Sequence, residues 1–559
     1  MAKHGKNGSN EPSLPKTRAQ FLKLYKKGLA FNKANDHINA IKHLNKALEY
    51  SSSDPQLLIM LADSLFKIGN RQAALQLMTH ALEADPNNVA NVIILGNAAH
   101  GMGMLELSAK FHEHHIKLDP SDPVGYNNYA TALRELGRQD DAIALLQDIL
   151  PVFPKEEALW NTLGSIVSFR DGPGNALVFF EESLKLDPDN INTLNNIAPS
   201  YYSIGEVEKA EAAIRHALEI DPNSKQPNIY LSTILLRNKR LSEAWEKYQW
   251  RFDGSKIQNT INFNKIPYWK GEPLNGKKIF IFSEQGIGDE ILFTWLNKQL
   301  IDEAAKVGIA CNERLVPLFK SSFPEAQVGL QQAMVDPQHD IMFMKFPDFD
   351  LTEYDYQVVS GDISMFKWPD YSDIEEDASA ILRPDVKKME YWKEKITTLP
   401  KKVSVGVAWR SGIKLANRSR NYTDLLNWAP ILSNKDVNFV NVQYGDCKEE
   451  LDELEKETGI KIHNFEELDL RDDFEGTTAM MTALDMVIGP ASAPTMQSSF
   501  AGVETWFMSS EIPFWSFGDE RPKWRRNARV LHKNNNDPWP EFMAEKAEDF
   551  KNWVAVTSK

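Results

Sequence analysis

The sequence predicts an α superhelix of short repeats followed by a pair of α/β lobes, and three observations predict it. Small residues recur every 34 positions through the first half, at Gly28, Ala62, Gly96, Ala130, Gly164, Ala198 and Ser232. A second small-residue register runs through Ala40, Ala74, Ser108, Ala142, Ala176, Ala210 and Ala244, while prolines step from Pro86 through Pro120, Pro154 and Pro188 to Pro222. Beyond about residue 276 the period gives way to apolar runs of strand length alternating with helical stretches, the pattern of parallel sheets covered by helices.

A 34-residue period reads as two helices per unit. Small residues where the two helices cross let their axes approach closely. Gly69, Gly103, Gly137 and Gly205 end the first helix of a unit, with Asn35, Asp171 and Lys239 standing in elsewhere, since the turn favours a left-handed backbone. These registers resemble the tetratricopeptide repeat and cover residues 21–258 as seven units, behind a basic tail at 1–20 expected to be flexible. The resemblance implies a concave groove for an acceptor or partner protein; a plain spacer is the other reading. Asn127, Asn161 and Asn195 recur at the same step, and side-chain amides there can bond an extended peptide backbone without reading its sequence. A similar asparagine ladder occurs in the repeats of the eukaryotic O-GlcNAc transferase. Solvated surface asparagines are the alternative. His112 and His115 stand at i,i+3 but bring no third ligand, so no metal is expected.

Charge and cysteine content exclude several classes. The 63 Lys and Arg against 78 Asp and Glu leave a net charge of -15, the wrong sign for neutralising nucleic-acid phosphates. Cys311 and Cys447 are too few and too far apart for a disulfide framework or a cysteine zinc site. The first residues lack the apolar run of a signal peptide, and no stretch of 18 apolar residues occurs, so no membrane span and a cytoplasmic location are expected.

The second half divides into a linker at 259–275, a first Rossmann-like lobe at 276–395 and a second at 396–559. In the first, the strand Lys278 to Phe282 runs into the loop Glu284-Gln285-Gly286-Ile287-Gly288-Asp289-Glu290 and then a helical stretch from Ile291 to about Val307. Further strand candidates are 308–311, 341–344 and 356–359. The second lobe opens with Val403-Ser404-Val405-Gly406-Val407-Ala408-Trp409-Arg410-Ser411-Gly412, followed by strand candidates at 437–443, 461–463, 486–489 and 504–508, with helices at 446–458, 476–484 and 495–501. Strand, glycine loop and helix in that order let backbone N–H groups at the helix start face an anion.

The 284–289 loop, Arg314-Leu315-Val316-Pro317-Leu318-Phe319, Val405 to Arg410, Val442-Gln443-Tyr444-Gly445-Asp446 and Ala483 to Ile488 are similar, in that order, to blocks of bacterial tetratricopeptide–glycosyltransferase proteins. These have a GT-B-type catalytic half like that of the heptosyltransferase and O-GlcNAc transferase groups, and some modify flagellin. The resemblance implies a metal-independent protein O-glycosyltransferase with no cofactor beyond its nucleotide-sugar substrate. The donor would lie in the second lobe, near Gly406, Trp409, Ser411, Gln443, Ser492, Ala493 and Thr495, and the acceptor near the loop of Glu284, Gly286 and Gly288. Asp289 is the expected base, matching the position of the heptosyltransferase aspartate, with Glu284 and Glu290 as competitors and a helix-capping role as the alternative. Arg410 is the expected cation beside the leaving diphosphate, with Lys414 and Arg418 close by.

Related proteins carry an Asp-Thr…His pattern where this chain has Gly489-Pro490-Ala491-Ser492-Ala493-Pro494-Thr495-Met496-Gln497. A non-catalytic adaptor with a degenerate transferase lobe is therefore the rival reading. The triplet Asp348-Phe349-Asp350 is of a length that chance supplies in an acidic chain, and Trp515, Trp524, Trp539 and Trp553 read as packing between lobes.

Overall fold

The computed structural model describes residues 14–34, 36–252, 256–284, 286–336, 341–411, 422–534 and 537–559. They divide into two compact units, Met1–Ile197 with Val335–Ile341, and Ala198–Met334 with Met342–Lys559.

Seven helix pairs follow one another: α1 Leu14–Lys33 and α2 His37–Leu48, α3 Pro55–Lys67 and α4 Arg71–Ala84, α5 Val89–Gly101 and α6 Leu105–Leu118, α7 Pro123–Glu135 and α8 Gln139–Ile149, α9 Glu157–Asp171 and α10 Pro173–Leu186, α11 Ile191–Ser203 and α12 Val207–Ile220, α13 Lys225–Arg237 and α14 Leu241–Tyr248. The second small-residue register, from Ala40 to Ala244, is fully buried at all its positions. In the first register a Cβ on Gly96 would stand 2.5 Å from the His112 ring, and one on Gly164 2.7 Å from the Phe180 ring. A bare glycine therefore lets a large side chain of the second helix lie against the backbone of the first. Gly69, Gly103, Gly137, Gly205 and Lys239 take positive φ at the turns. The fifth repeat departs from the expected register. Asp171 stays helical and Gly172, at φ 109°, makes the turn one residue later, because that conformation costs a glycine no Cβ clash. Asn35 lies outside the described residues.

The rest of the second unit is α/β. After α15 (Lys256–Asn264) come β1 Lys278–Phe282, α16 Ile287–Leu292, α17 Asn297–Glu303, β2 Lys306–Cys311, α18 Val316–Ser322, β3 Gln327–Leu330, β4 Gln332–Asp336, β5 Ile341–Lys345, β6 Tyr356–Val359 and α19 Ile363–Lys367. Then follow α20 Val386–Thr397, β7 Val403–Val407, α21 Ala429–Leu432, β8 Val437–Asn441, α22 Lys448–Thr458, α23 Phe474–Met481, β9 Met486–Pro490, α24 Ala493–Phe500, β10 Glu504–Ser509, β11 Ala528–His532 and α25 Trp539–Thr557.

Among the described residues β3-β2-β1-β6 and β11-β10-β9-β7-β8 form two sheets with parallel pairing throughout both, and β4 pairs with β5 in a separate two-stranded sheet. The strands β7, β8 and β9 are buried along their whole length, as expected when helices cover both faces. The helix expected to run from Ile291 to Val307 is broken: a 3-10 turn at Phe293–Leu296 separates α16 from α17, and β2 has begun by Lys306. Lys461 to His463 makes only a bridge, Val440 to His463. The strands β3 and β11, with the sequences QVGL and ARVLH, were not visible in the apolar pattern; both are sheet edges. Helix α20 packs Trp392 and Ile396 against Val440 and Met480 of the second lobe, although most of it falls within the range expected for the first.

The seventh repeat is built into this α/β unit. One buried cluster runs from Leu231, Leu235 and Trp245 through Ile279, Phe293 and Trp368 to Phe507, Trp515 and Trp524. Trp245 Nε1 donates to the Trp368 carbonyl at 2.8 Å. Glycine is required at 518, where φ is 81° and a Cβ would stand 2.4 Å from the Arg237 carbonyl oxygen. Trp524 meets Trp295 edge-on at 4.6 Å and donates to the Trp515 carbonyl, so these two tail tryptophans pack between elements of both lobes. Trp539 and Trp553 pack against the second-lobe core instead. The 259–275 segment is not a free tether, since Trp269 is 1% exposed and Tyr268 bridges to Gln357.

His112, pressed against Gly96, is pushed down by burial to about 4 from its ordinary value of 6.5, with smaller contributions from His115 and His100. The unfolded chain therefore binds a proton between these values that the folded one refuses. Stability is full above pH 6.5 and falls as the pH drops toward 4, by roughly 2–3 kcal/mol. Chemical denaturation at pH 7 and pH 4.5 of the parent and of His112→Phe checks this: the phenylalanine variant should lose less stability on acidification.

Candidate functional site

In a doubly wound sheet the crevice outside the C-terminal strand ends lies where the strand order reverses. For the first sheet that point is between β1 and β6, and for the second between β7 and β9. The residues that follow these four strands are Ser283 to Asp289, Ser360 to Asp362, Ala408 to Ser411 and Ala491 to Thr495. Three of the four segments contain residues expected from the sequence.

The two lobes' loops meet. Helix α16 packs on α24, and a Cβ on Gly288 would stand 4.0 Å from the Ala493 amide nitrogen. Asp289, in the first turn of α16, folds back over that helix's N-cap, with Oδ2 3.0 Å from where a Gly286 Cβ would sit, so glycine at 286 makes room for the carboxylate. Of the three acids considered as base, Glu284 and Glu290 are buried and Asp289 is exposed. Glu290 accepts the Asn312 N–H at 2.8 Å.

Glu284 is held in a buried ion network. Arg251 Nη2 donates to Glu284 Oε1 at 2.7 Å and to Asp362 Oδ1 at 2.6 Å, and Nη1 donates to the Tyr248 carbonyl at 3.1 Å. The Tyr268 hydroxyl and the Gln249 amide donate to Asp362 Oδ2 at 2.6 and 3.1 Å. Burial pushes the Glu284 carboxyl up, and Arg251 draws it back down. Burial opposes the Arg251 charge, but Glu284 and Asp362 outweigh it and hold the guanidinium above its ordinary value. Arg251, Asp362 and Tyr268 were not found by sequence reasoning.

In the second lobe most expected donor contacts are engaged within the protein. Gly406 lies inside β7, paired with Val440 and Val487, and Trp409 is 1% exposed in the core; neither lines a crevice. Gln443 Oε1 accepts the N–H groups of Trp409 and Arg410 at 3.0 and 2.9 Å, and Nε2 donates to the Tyr444 carbonyl, so it clasps the ends of β7 and β8. Arg410 donates to the Glu450 carboxylate through Nε and Nη2 and to the Asp446 carbonyl at 2.7 Å. Ser411 is buried, 3.5 Å from the Tyr444 hydroxyl. Lys414 and Arg418 lie outside the described residues. Gly489 allows β9 to pass β7, since a Cβ there would be 2.7 Å from the Ala408 carbonyl. At the start of α24 the Thr495 hydroxyl donates to the Pro490 carbonyl at 2.7 Å and accepts the Ser492 N–H at 3.0 Å. Pro494 supplies no N–H, and the Ala493 amide nitrogen is the atom of this turn that Gly288 approaches.

A cavity of about 630 Å³ opens behind β8, between α22 and residues 461–471. Its lining holds five carboxylates against three cations, which disfavours a diphosphate there. Asp348 accepts the Leu330 N–H and Asp350 caps the turn at Thr352, so that acidic triplet is structural. In the repeats, Asn127 Oδ1 accepts from Thr162 Oγ1 at 2.6 Å and Asn161 Oδ1 from Asn196 Nδ2 at 3.1 Å. Asn127 and Asn161 thus tie adjacent repeats together, while Asn195 Oδ1 is buried without a hydrogen-bond partner among the described residues.

Gln443→Leu should leave the buried Trp409 N–H and the part-buried Arg410 N–H without their acceptor and lower stability by about 1–3 kcal/mol. Urea denaturation measures it; unchanged stability with weakened nucleotide binding would make Gln443 a ligand contact instead.

Tetratricopeptide-repeat family profiles match residues 32–95 and 191–224. Among solved structures, a tetratricopeptide repeat protein from Parabacteroides merdae is similar at 17% identity and TM-score 0.33, covering 41% of this chain and 91% of that one. Pseudomonas aeruginosa pilF is similar at 13% identity and TM-score 0.28, covering 38% and 98%. No helix among the described residues is long and apolar enough to cross a membrane. Protein FlbA of Caulobacter vibrioides is 31% identical over 530 residues, spanning 93% of this chain and 88% of that protein. The chain belongs to the tetratricopeptide-repeat-containing bacterial family of Protein FlbA.

Proposed function

We propose that this chain is a metal-independent protein O-glycosyltransferase of the GT-B type. The observation that carries the reading is the packing of α16, which bears the exposed Asp289, on α24, with Gly288 close to the Ala493 amide nitrogen beyond the ends of two parallel sheets. In this reading the repeats present an acceptor protein, and the oxygen of a Ser or Thr hydroxyl attacks the anomeric carbon of a nucleotide sugar. The bond from that carbon to the diphosphate breaks, Asp289 takes the hydroxyl proton, and the start of α24 faces the departing negative charge. Flagellin as the acceptor rests on the resemblance to flagellin-modifying transferases.

One set of observations favours the adaptor reading. Arg410 is committed to Glu450 and Thr495 to its own turn, so fewer groups remain for a diphosphate.

Intact-mass analysis of acceptor proteins, flagellin first, from cells carrying the native chain, a deletion or Asp289→Asn decides between them. Transfer predicts loss of a sugar-sized mass in both altered strains. An unchanged mass across the proteome would leave the adaptor.

A further inference from the structure

The crevice of the first sheet, where a doubly wound fold ordinarily admits a ligand, is filled by the chain itself. Arg251, three residues beyond α14 of the seventh repeat, enters the gap between the ends of β1 and β6. Its side chain is 13% exposed, that of Glu284 8% and that of Asp362 3%. The fit leaves no slack: a Cβ on Gly361 would stand 2.4 Å from Glu284 Oε1 and 3.0 Å from Arg251 Nη2. Glu284 stands two residues before Gly286, the N-cap of α16, and Asp289 lies in the first turn of that helix. A helix of six residues is too short to hold its place by its own hydrogen bonds, so what anchors the chain at its start bears on where Asp289 stands. The network holds two carboxylates against one guanidinium, and both Glu284 and Asp289 lie close enough to influence Tyr248 electrostatically.

We propose that Arg251 of the seventh repeat is a positioning residue of the transferase site: by holding Glu284 and Asp362 it fixes the start of α16, where Asp289 stands, and supplies a positive charge beside these carboxylates. The proposal rests on the transferase reading for its kinetic part. The arginine touches no reacting atom; it acts through Glu284. The seventh repeat is then part of the catalytic unit and not only a support for acceptor binding.

The test compares the full-length chain with Arg251→Lys, Arg251→Met and the charge-balanced double variant Arg251→Met/Glu284→Gln, the last included because the single methionine variant leaves buried carboxylates uncompensated. Hydrogen exchange over residues 284–292 is read first. At least about tenfold faster exchange in the double variant, with the remaining α/β unit protected as in the parent, supports the proposal; unchanged exchange in this segment overturns it. Kinetics with a nucleotide-sugar donor is read second. The double variant should lose about 100-fold in kcat with donor KM nearly unchanged. Arg251→Lys should keep most of the activity. A double variant with normal kcat, or an Arg251→Lys variant that loses as much kcat as the double variant, overturns the role in catalysis. A native chain that turns over no nucleotide sugar while the exchange result holds sinks the transferase reading and leaves the loop anchor standing.

Discussion

The α/β half depends on a buried ion network centred on Arg251. Taking a guanidinium out of water is costly without anions and hydrogen-bond acceptors to receive it, and Arg251 finds both only when the ends of β1 and β6 and the last turn of the repeat array are assembled together. The tryptophan packing around Trp245, Trp368 and Trp524 surrounds the same junction with apolar contact. The seventh repeat is thereby a component of the α/β core, which is why the boundary between compact units falls inside α11 and not at the end of the repeats.

The repeat half was legible because its constraint is periodic. A small residue at every helix crossing leaves the same mark each 34 positions, and even its exceptions have a local cause, as when Gly172 takes the turn that Asp171 cannot make cheaply. The central strands were legible for the same kind of reason: β1 and β7 are short, apolar and buried. Edge strands β3 and β11 carry mixed sequences and have a sheet neighbour on one side only, so their apolar signal is weak. The break between α16 and α17 is set by tertiary packing around Phe293 and Trp295, which no local preference records.

The site was half legible. Glycine loops after strands marked the switch points, and Asp289 stood out by its place after Gly288. What a single sequence cannot display is which side chain spends its hydrogen bonds where. Gln443 and Arg410 are the right residue types at the right strand ends, yet one clasps backbone amides and the other is engaged by Glu450. Arg251 carries the opposite lesson. It lies 33 residues from Glu284 and 111 from Asp362, in a stretch that reads as a diverged repeat, and only the folded chain brings the three together.

The central claim is that the start of α24 and the first turn of α16, which carries Asp289, form one site for a nucleoside diphosphate sugar. A structure of the full chain determined with a nucleoside diphosphate tests it most directly. The account predicts the diphosphate against Ala493, across the crevice from Asp289. A nucleotide seated only in the acidic cavity behind β8, or none bound from a panel of UDP, GDP, CDP and dTDP at millimolar concentration, would contradict it.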